Sequence, residues 1–399
     1  MKKLILIGLL LAIFTSLKAQ VDSVAFAKAA AVVKAELAPD KRLVYFSYQI
    51  KNDTVIAESS SEFALKRLEQ ETKQINGLTK IFDLLPSKFL NGRVYGLANL
   101  SVCNNRSTPQ NSAEMMTQML LGTPVQVLKK QGGFYLVRTP DQYISWTDAT
   151  AVTVMDSTAF EKWKKSKRLI YLSDYGHAYS EANDQAARVS DLVNGNILEK
   201  IGEEQTFYKV KFPDGRFGYL KKSEVMLFSD WRRNANPSAE SLLTTAKTLL
   251  GVPYLWGGTS VKGVDCSGFT KTSYFLNGII IPRDASQQAL VGEEVDVLHG
   301  DSTSIEKCLK NLKPGDLLFF AAAKLRGTAK ARITHTAIYM GDGQFIQSAG
   351  MVRINSLKPA DADFDEREFK TLVGARRYLN QIGKPEITRI DRHDWYGNY

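Results

Sequence analysis

The sequence is poor in the residues that build metal centres and disulfides. Its 399 residues contain three cysteines and four histidines. There is no CxxC pair and no HExxH motif, and the histidines are scattered, so we expect neither a zinc site nor another cofactor. Cys103, Cys266 and Cys308 cannot all pair within one chain, so at least one thiol should be free.

Long apolar runs are also missing beyond the first residues. MKKLILIGLLLAIFTSLKA, residues 1–19, begins with two lysines, continues with an apolar stretch and ends in Ala19, which is the layout of a secretory signal peptide. The stretch is too short to span a bilayer, and no later one reaches about 18 apolar residues. No cysteine lies at the junction. We therefore predict an exported chain, periplasmic or secreted, without a membrane anchor.

The charge balance is moderately basic. The formal net charge of the full chain is +10, and 49 basic against 42 acidic residues remain once Lys2, Lys3 and Lys18 leave with the signal peptide. A net charge of +7 suits an anionic surface such as a cell wall, although a solvated surface is the common reason for such a balance. Nucleic acid is not an expected partner.

The pattern after residue 19 predicts several modules. Residues 20–91 predict an α+β segment, with a helix over 21–38, the strands RLVYFSYQI and TVIAESS, and a further helical stretch over 61–85. Residues 92–155 and 165–228 repeat one order of features: an apolar strand pair with a charged turn, a Pro-Asp turn and an aromatic strand. The linker WRRNANPSAESLL leads into a last domain, 235–380, and a polar tail follows at 381–399.

One cysteine follows a glycine-rich loop, GVPYLWGGTSVKGVDCSGF, residues 251–269. The glycines predict a turning loop, and SGFTKTSYFLNG predicts a helix that Asp265 caps, so Cys266 falls in the first helical turn. Free backbone amides and the helix dipole favour a thiolate there and could also bind an oxyanion. The alternative is a small buried residue.

A histidine and a glutamine lie on a predicted hairpin downstream. RITHTAIYMGDGQFIQSAG alternates into and out of one face on both sides of a turn at Gly341-Asp342-Gly343. His335 and Gln347 are an even number of residues apart across that turn, which puts both on one face of adjacent strands. A histidine that takes a thiol proton while a carbonyl oxygen holds its other nitrogen is what a cysteine nucleophile requires. Alone, His335 would be read as a core residue.

Five motifs together resemble the NlpC/P60 family of papain-like cysteine peptidases, which cleave peptidoglycan stem peptides: PYLWGG, DCSGF, IPRDASQQ, LKPGDLLFF and HTAIYMGDGQFI. The resemblance covers about 140 residues. It implies Cys266 as nucleophile, His335 as base, and Gln347 at the third polar position, where many members have histidine. The family's tyrosine near the oxyanion falls on Tyr254, which could instead simply cover the loop.

The two repeated segments resemble bacterial SH3 domains. The expected fold is therefore multidomain: an α+β papain-like NlpC/P60 catalytic domain preceded by two small SH3-like β-barrels and a short N-terminal α+β segment. This arrangement resembles the family members that hydrolyse γ-D-glutamyl-L-diamino acid bonds in wall peptides with a free N-terminal L-alanine. In those relatives the first barrel closes one end of the cleft.

The same resemblance implies a set of substrate-binding residues. The family's amine-recognising acid and tyrosine fall on Glu114 and Tyr143, and Asp265 offers a second carboxylate. The positions that line the cleft fall on Ser267, Asp284 and Ser286. The alternatives are an exposed charge for Glu114, a barrel core residue for Tyr143 and helix caps for the others, and the family's serine could align with Ala285 instead.

Two other functions remain open at this point. One is a wall-binding protein whose peptidase fold is silent, which the glutamine at position 347 leaves possible. The other is a thiol amidase or endopeptidase that acts on intact wall.

Overall fold

The computed structural model describes residues 22–235, 237–321 and 332–397. The predicted signal peptide lies outside these described residues. Within the described ranges, no helix is long and apolar enough to cross a bilayer.

The N-terminal segment is a three-stranded sheet packed against two helices. Its core contains Phe26, Val33, Val55 and Leu68, all fully buried. Strand β2 pairs antiparallel with β1 and parallel with β3. The elements are α1 (22–37), β1 (Phe46–Lys51), β2 (Thr54–Ser59), α2 (Glu62–Glu71) and β3 (Thr79–Leu84).

The prediction of a helical stretch over 61–85 is wrong in its second half. Helix α2 ends at Glu71, and Asn76-Gly77 separates it from β3. Residues Thr79–Leu84 alternate in burial and pair in parallel with β2. Pairing with the edge of β2 thus makes this segment a strand, although the spacing of its apolar residues is helical.

Two β modules follow, and they share one strand order. The first runs β10-β4-β7-β8-β9-β5-β6 and the second β17-β11-β14-β15-β16-β12-β13. Adding seven to each strand number of the first module gives the order of the second, so that β11 occupies the position of β4. The sequence repeat is therefore also a structural repeat. Over the described residues both ladders are open series of seven strands, and the predicted closure into barrels is not observed.

The strands of both modules are short, as expected for small antiparallel modules. The first module contains β4 (Tyr95–Ala98), β5 (Val102–Arg106), β6 (Met115–Leu120), β7 (Pro124–Gln131), β8 (Phe134–Arg138), β9 (Ile144–Asp148) and β10 (Val152–Met155). Helix α3 (Ser157–Lys165) leads into β11 (Arg168–Tyr171), β12 (Tyr175–Tyr179), β13 (Arg188–Val193), β14 (Ile197–Glu204), β15 (Phe207–Lys211), β16 (Phe217–Lys221) and β17 (Val225–Leu227).

The last module packs helices against a six-stranded antiparallel sheet of order β21-β28-β24-β25-β26-β27. Phe269 and Tyr274 of α6 share a buried core with Ile338 and Ile346 of the central hairpin. The helices are α4 (Phe228–Asn234), α5 (Ala239–Thr248), α6 (Cys266–Phe275), α7 (Ala285–Gln288), α8 (Ile305–Asn311) and α9 (Glu366–Thr371). The sheet strands are β21 (Glu293–Val295), β24 (Leu317–Ala321), β25 (Ile333–Gly341), β26 (Gln344–Ala349), β27 (Met351–Ser356) and β28 (Leu372–Arg377). Short pairs are β18 (Thr259–Ser260) with β19 (Gly263–Val264), β20 (Ile279–Ile280) with β29 (Thr388–Arg389), and β22 (Leu298–His299) with β23 (Ser302–Thr303).

The tail after residue 380 is an integral part of this packing. Strand β29 pairs with β20, and Tyr396 is buried. Its carbonyl oxygen accepts a 2.7 Å hydrogen bond from Arg168 of the second β module. His393 Nε2 lies 3.1 Å from the carbonyl oxygen of Pro140 in the first β module. The tail therefore joins the last module to both β modules.

Candidate active site

The predicted start of α6 is confirmed, with Cys266 as its first residue and Asp265 as its N-cap. The Gly268 N–H donates to Asp265 Oδ1 at 2.6 Å, and the Gly257 N–H donates to Oδ2 at 2.9 Å. A Cβ at position 268 would collide with the carbonyl oxygen of Gly258. Glycine at these positions thus lets the loop lie directly on the helix start, which fixes the backbone around the sulfur.

The environment of the Cys266 sulfur opposes its ionisation. Cys266 is 7% exposed. Burial, followed by the negative charge of Asp265, raises the pKa of the Cys266 thiol to about 12, although the backbone N–H groups of Thr336 and Ser267 favour the thiolate. The helix start by itself therefore does not ionise the thiol in the resting protein, because desolvation opposes the thiolate more strongly than the backbone donors favour it.

The predicted hairpin is also confirmed, as β25 and β26 with a bulge near the turn. His335 Nε2 lies 2.6 Å from Gln347 Oε1. The Gln347 amide nitrogen donates to Asn355 Oδ1 at 2.9 Å and to Asp365 Oδ2 at 3.3 Å. A carboxylate can only accept, so the amide must turn its oxygen to the imidazole. His335 Nε2 therefore carries the hydrogen, and Nδ1 is the unprotonated nitrogen.

The His335 imidazole is held neutral in the resting site. Burial lowers its pKa below the ordinary value, against the nearby carboxylate of Glu368 and the hydrogen bond that the imidazole donates to Gln347, which both raise it. The pKa of Cys266 is raised and that of His335 is lowered, so the resting pair is a neutral thiol and a neutral imidazole. The thiol proton must then move to His335 as the sulfur attacks, which is general base catalysis.

A buried arginine supports the nucleophile loop. Arg283 is 0% exposed, and its Nη1 and Nη2 donate to Asp265 Oδ1 and Oδ2 at 3.0 and 2.7 Å. Its Nη1 also donates to Ser267 Oγ at 3.0 Å, and its Nε to Thr117 Oγ1 of the first β module at 2.8 Å. With the two backbone donors described above and the Ser267 hydroxyl, which lies 3.4 Å from Oδ1, Asp265 accepts five hydrogen bonds. These bonds make Asp265 an anchor of the nucleophile loop, and its pairing with a substrate ammonium stays a prediction.

Two predicted substrate-binding residues contact each other. The Tyr143 hydroxyl donates to Asp284 Oδ2 at 3.0 Å, and Arg42 Nη1 of the N-terminal segment donates to the same oxygen at 2.7 Å. Both Arg42 Nη1 and Nη2 lie 3.4 Å from Ser286 Oγ. Tyr143 is 0% exposed, so its phenol acts through Asp284 and does not face solvent.

Tyr254 and Glu114 differ in how closely they are packed into the site. Tyr254 is half-buried, and its pKa is raised by burial and by the charges that Cys266 and Asp265 carry when ionised, so its hydroxyl stays protonated beside the sulfur. The Glu114 side chain is exposed and forms no ion pair within the part of the chain that the structure describes. Its backbone oxygen accepts from the Ser107 N–H at 3.0 Å, which closes the β5–β6 loop.

Sequence reasoning missed two arginines of this site. Arg283 stands in IPRDASQQ, and an arginine beside an aspartate in a buried motif was a usable signal. Arg42 gave no signal, because the N-terminal segment looked like a scaffold without chemistry. The other cysteines lie elsewhere: Cys103 and Cys308 are buried and unpaired. Over the described ranges, no cluster of three metal-ligating side chains occurs.

With this geometry established, comparison with known proteins defines the class. The NlpC/P60 family profile matches residues 251–368, and that of the bacterial dipeptidyl-peptidase Sh3 domain matches residues 105–152. A gamma-D-glutamyl-L-lysine dipeptidyl-peptidase of Bacillus cereus is 30% identical over 283 residues, covering 67% of this chain and 77% of that protein. Dipeptidyl-peptidase 6 of Lysinibacillus sphaericus is 26% identical over 265 residues, covering 64% and 89%.

Solved structures agree with the sequence relatives. A crystal structure of an NlpC/P60 family protein from Bacillus cereus superposes with a TM-score of 0.57 at 26% identity, over 71% of this chain and 99% of that one. The class is that of peptidoglycan hydrolases with a bacterial SH3 domain. The chain belongs to the NlpC/P60 family.

Proposed function

We propose that this protein is a cysteine peptidase that hydrolyses the γ-D-glutamyl-L-diamino acid bond of peptidoglycan stem peptides with a free N-terminal L-alanine, releasing L-Ala-D-Glu. The observation that carries the proposal is that Cys266, the first residue of α6, lies against β25, where it meets the backbone N–H of Thr336 next to His335. His335 Nε2 is in turn 2.6 Å from Gln347 Oε1. The similarity to a gamma-D-glutamyl-L-lysine dipeptidyl-peptidase supports the choice of bond.

The chemistry needs only side chains of this chain. His335 Nδ1 takes the Cys266 proton as the sulfur attacks the γ-glutamyl carbonyl carbon, and the resulting imidazolium gives that proton to the leaving amine. A water molecule, deprotonated by His335, then cleaves the thioester. The protonated hydroxyl of Tyr254 and free N–H groups at the start of α6 stabilise the oxyanion.

The charges around Asp284 support a free amine as part of the substrate. Arg42 and Arg283 face Asp40, Asp265 and Asp284, which leaves one net negative charge. A substrate ammonium balances that charge, with the exposed Glu114 as a second carboxylate at the first β module. An acylated alanine carries no positive charge and would leave this negative charge without a partner in the complex.

Location and modular roles belong to the same proposal. The layout of residues 1–19 supports export to the periplasm or the medium, where wall peptides are met. In this scheme residues 235–380 carry the nucleophile and the base, and the first β module closes one end of the cleft. No cofactor, nucleic acid or membrane anchor has a part in it.

The test compares substrates that differ only at the amine. The protein is incubated with L-Ala-γ-D-Glu-diaminopimelate, its lysine analogue, the N-acetyl form of each and polymeric peptidoglycan, and products are identified by mass spectrometry. We expect L-Ala-D-Glu and the diamino acid from the free tripeptides, much slower cleavage of the N-acetyl forms and no product from the polymer. The folded Cys266→Ala protein serves as the control and should yield no product.

The two rival functions give different outcomes. Equal cleavage of the N-acetyl peptides or of the polymer would favour an amidase or endopeptidase on intact wall. Binding of wall fragments without any hydrolysis would favour the silent wall-binding protein. Hydrolysis by Cys266→Ala would refute the assignment of the nucleophile.

A further inference from the structure

Three separate parts of the chain meet at one carboxylate oxygen. Asp284 Oδ2 accepts from Arg42 Nη1 of the N-terminal segment at 2.7 Å and from the Tyr143 hydroxyl of the first β module at 3.0 Å. Asp284 itself precedes α7 in the last module. Neither family profile includes residue 42.

The guanidinium of Arg42 is fixed before it reaches Asp284. Its Nε and Nη2 donate to Asp40 Oδ1 and Oδ2, each at 2.7 Å. Asp40 Oδ2 also accepts from Gln287 Nε2 of α7 at 3.1 Å. The Arg42 carbonyl oxygen accepts from the Ile144 N–H, next to Tyr143, at 2.6 Å. The planar guanidinium of Arg42 thus donates to two carboxylates at once, and its backbone is held by Ile144. A lysine ammonium cannot reproduce this geometry.

The loop that Arg42 contacts needs this support. Helix α7 has four residues, Ala285–Gln288, which is about one turn and too short to be stable alone. Arg42 holds its start through Asp284 and lies 3.4 Å from Ser286 Oγ in its first turn. Within the last module, a capping box between Asp284 and Gln287 also holds the start of this helix. Arg42 therefore adds a support from outside the module to the position of Asp284 and Ser286.

We propose that the N-terminal segment is a working part of the substrate cleft and that Arg42 is its specificity-determining positioning residue. By holding Asp284 and Ser286, Arg42 fixes the end of the cleft that receives the alanine ammonium. The inference rests on the proposed function for the identity of that ammonium. Arg42 has no contact with Cys266, His335 or Gln347, so it acts on substrate binding and leaves the chemical step unchanged.

The experiment separates geometry from charge. Arg42→Gln, Arg42→Lys and the control Arg67→Gln are compared as full-length proteins on the free and N-acetyl tripeptides, after circular dichroism has verified folding. Arg67 is a matched control, because it lies in the same segment and pairs with Glu71 on an exposed helix face. We expect Arg42→Gln to raise KM about tenfold or more, the usual effect of losing a charge-assisted hydrogen bond. Its kcat should stay within about twofold of the parent's, and Arg42→Lys should behave like Arg42→Gln.

A second readout is the selectivity for the amine. The ratio of kcat/KM for free over N-acetyl peptide should fall in both Arg42 variants and remain unchanged in Arg67→Gln. An unchanged KM and ratio in Arg42→Gln would overturn the inference. Full recovery by Arg42→Lys would also overturn it, because charge alone would then suffice.

Binding without turnover distinguishes this inference from the proposed function. Calorimetric titration of the Cys266→Ala protein with L-Ala-γ-D-Glu, with and without Arg42→Gln, should show weaker binding in the double variant. Arg42-dependent binding without hydrolysis by the parent protein would refute the proposed function alone. Hydrolysis with Arg42-independent KM and binding would refute this inference alone, and the absence of both binding and hydrolysis would refute both.

Discussion

His335 Nε2 and Gln347 Oε1, 2.6 Å apart, determine which imidazole nitrogen is left for the thiol. The amide can serve in this way because Asn355 and Asp365 occupy its nitrogen. Asn355 is held in turn, since its own amide nitrogen donates to the Asp363 carbonyl oxygen at 3.3 Å. An uncharged residue, Gln347, thus orients the base, and Gln347 is itself oriented by the hydrogen bond to Asn355.

Replacing Gln347 by leucine should impair the chemical step. Leucine has a similar volume but no acceptor for the Nε2–H, so the imidazole can turn or change its tautomer. We expect kcat on the free tripeptide to fall about 10- to 100-fold, as for other residues that orient a catalytic group. Gln347→His restores an acceptor and should retain more activity than leucine. A leucine variant with kcat within twofold of the parent would contradict the role of Gln347.

The pH profile should reflect the environment of His335. Its neutral form is the base, and its lowered pKa preserves that form under mildly acidic conditions, so the acid limb of kcat/KM should lie below about pH 6.5. Glu368 is the carboxylate that most raises this pKa, with Asp365 acting in the same direction and Arg367 against it. Glu368→Gln should therefore move the acid limb to lower pH.

A neighbouring glutamate provides the control for that shift. Glu366 lies on the same helix but is exposed and pairs with Lys370 at 2.5 Å. Glu366→Gln should leave the acid limb of kcat/KM where it is. A limb that moves to higher pH in Glu368→Gln would show that the carboxylate does not stabilise the imidazolium.

Alkylation should report the protonated resting thiol. Because the pKa of Cys266 is raised to about 12, iodoacetamide at pH 7 should modify it more slowly than a free peptide thiol, whose pKa is about 8.5. The rate should rise about tenfold per pH unit up to pH 10, as the thiolate fraction does. Peptide mapping by mass spectrometry measures the rate, and a plateau at neutral pH would contradict the neutral pair. Slow alkylation of Cys266 is thus compatible with an active peptidase. Only a turnover measurement distinguishes that peptidase from a wall-binding protein without activity.

Removing Arg283 should destabilise the fold. Arg283→Met leaves the buried Asp265 carboxylate without its cation, which costs about 3 kcal/mol or more. Urea unfolding at pH 7 measures the loss. Adding Asp265→Asn removes the unpaired charge and should recover part of the stability. Equal stability of the parent and the single variant would show that the ion pair contributes nothing net.

The sequence predicted the parts of the site that depend on local pattern. The helix start at Asp265 and Cys266 follows from a cap and a glycine-rich loop, and His335 and Gln347 follow from strand parity across a short turn. Parity survives the bulge near the turn because the two residues still face the same side of the sheet.

The missed features depend on distant partners. Strand β3 has a helix-like spacing of apolar residues and is a strand only because β2 offers a parallel edge. The opposite shifts of the Cys266 and His335 pKa values come from burial, which a motif does not report. Arg42 is 242 residues from Asp284, so no window of sequence contains the pair.

The separation of 242 residues between Arg42 and Asp284 also bears on the order in which the protein folds. Residue 42 leaves the ribosome long before residue 284, and His393, near the end of the chain, supports the Pro140 turn that leads into Tyr143. Contacts between such distant positions form late in folding, because the chain between them must be ordered first. The nucleophile can therefore take its place at the helix start before the entrance for substrate is complete, so that substrate binding reaches its full strength only in the completely folded chain.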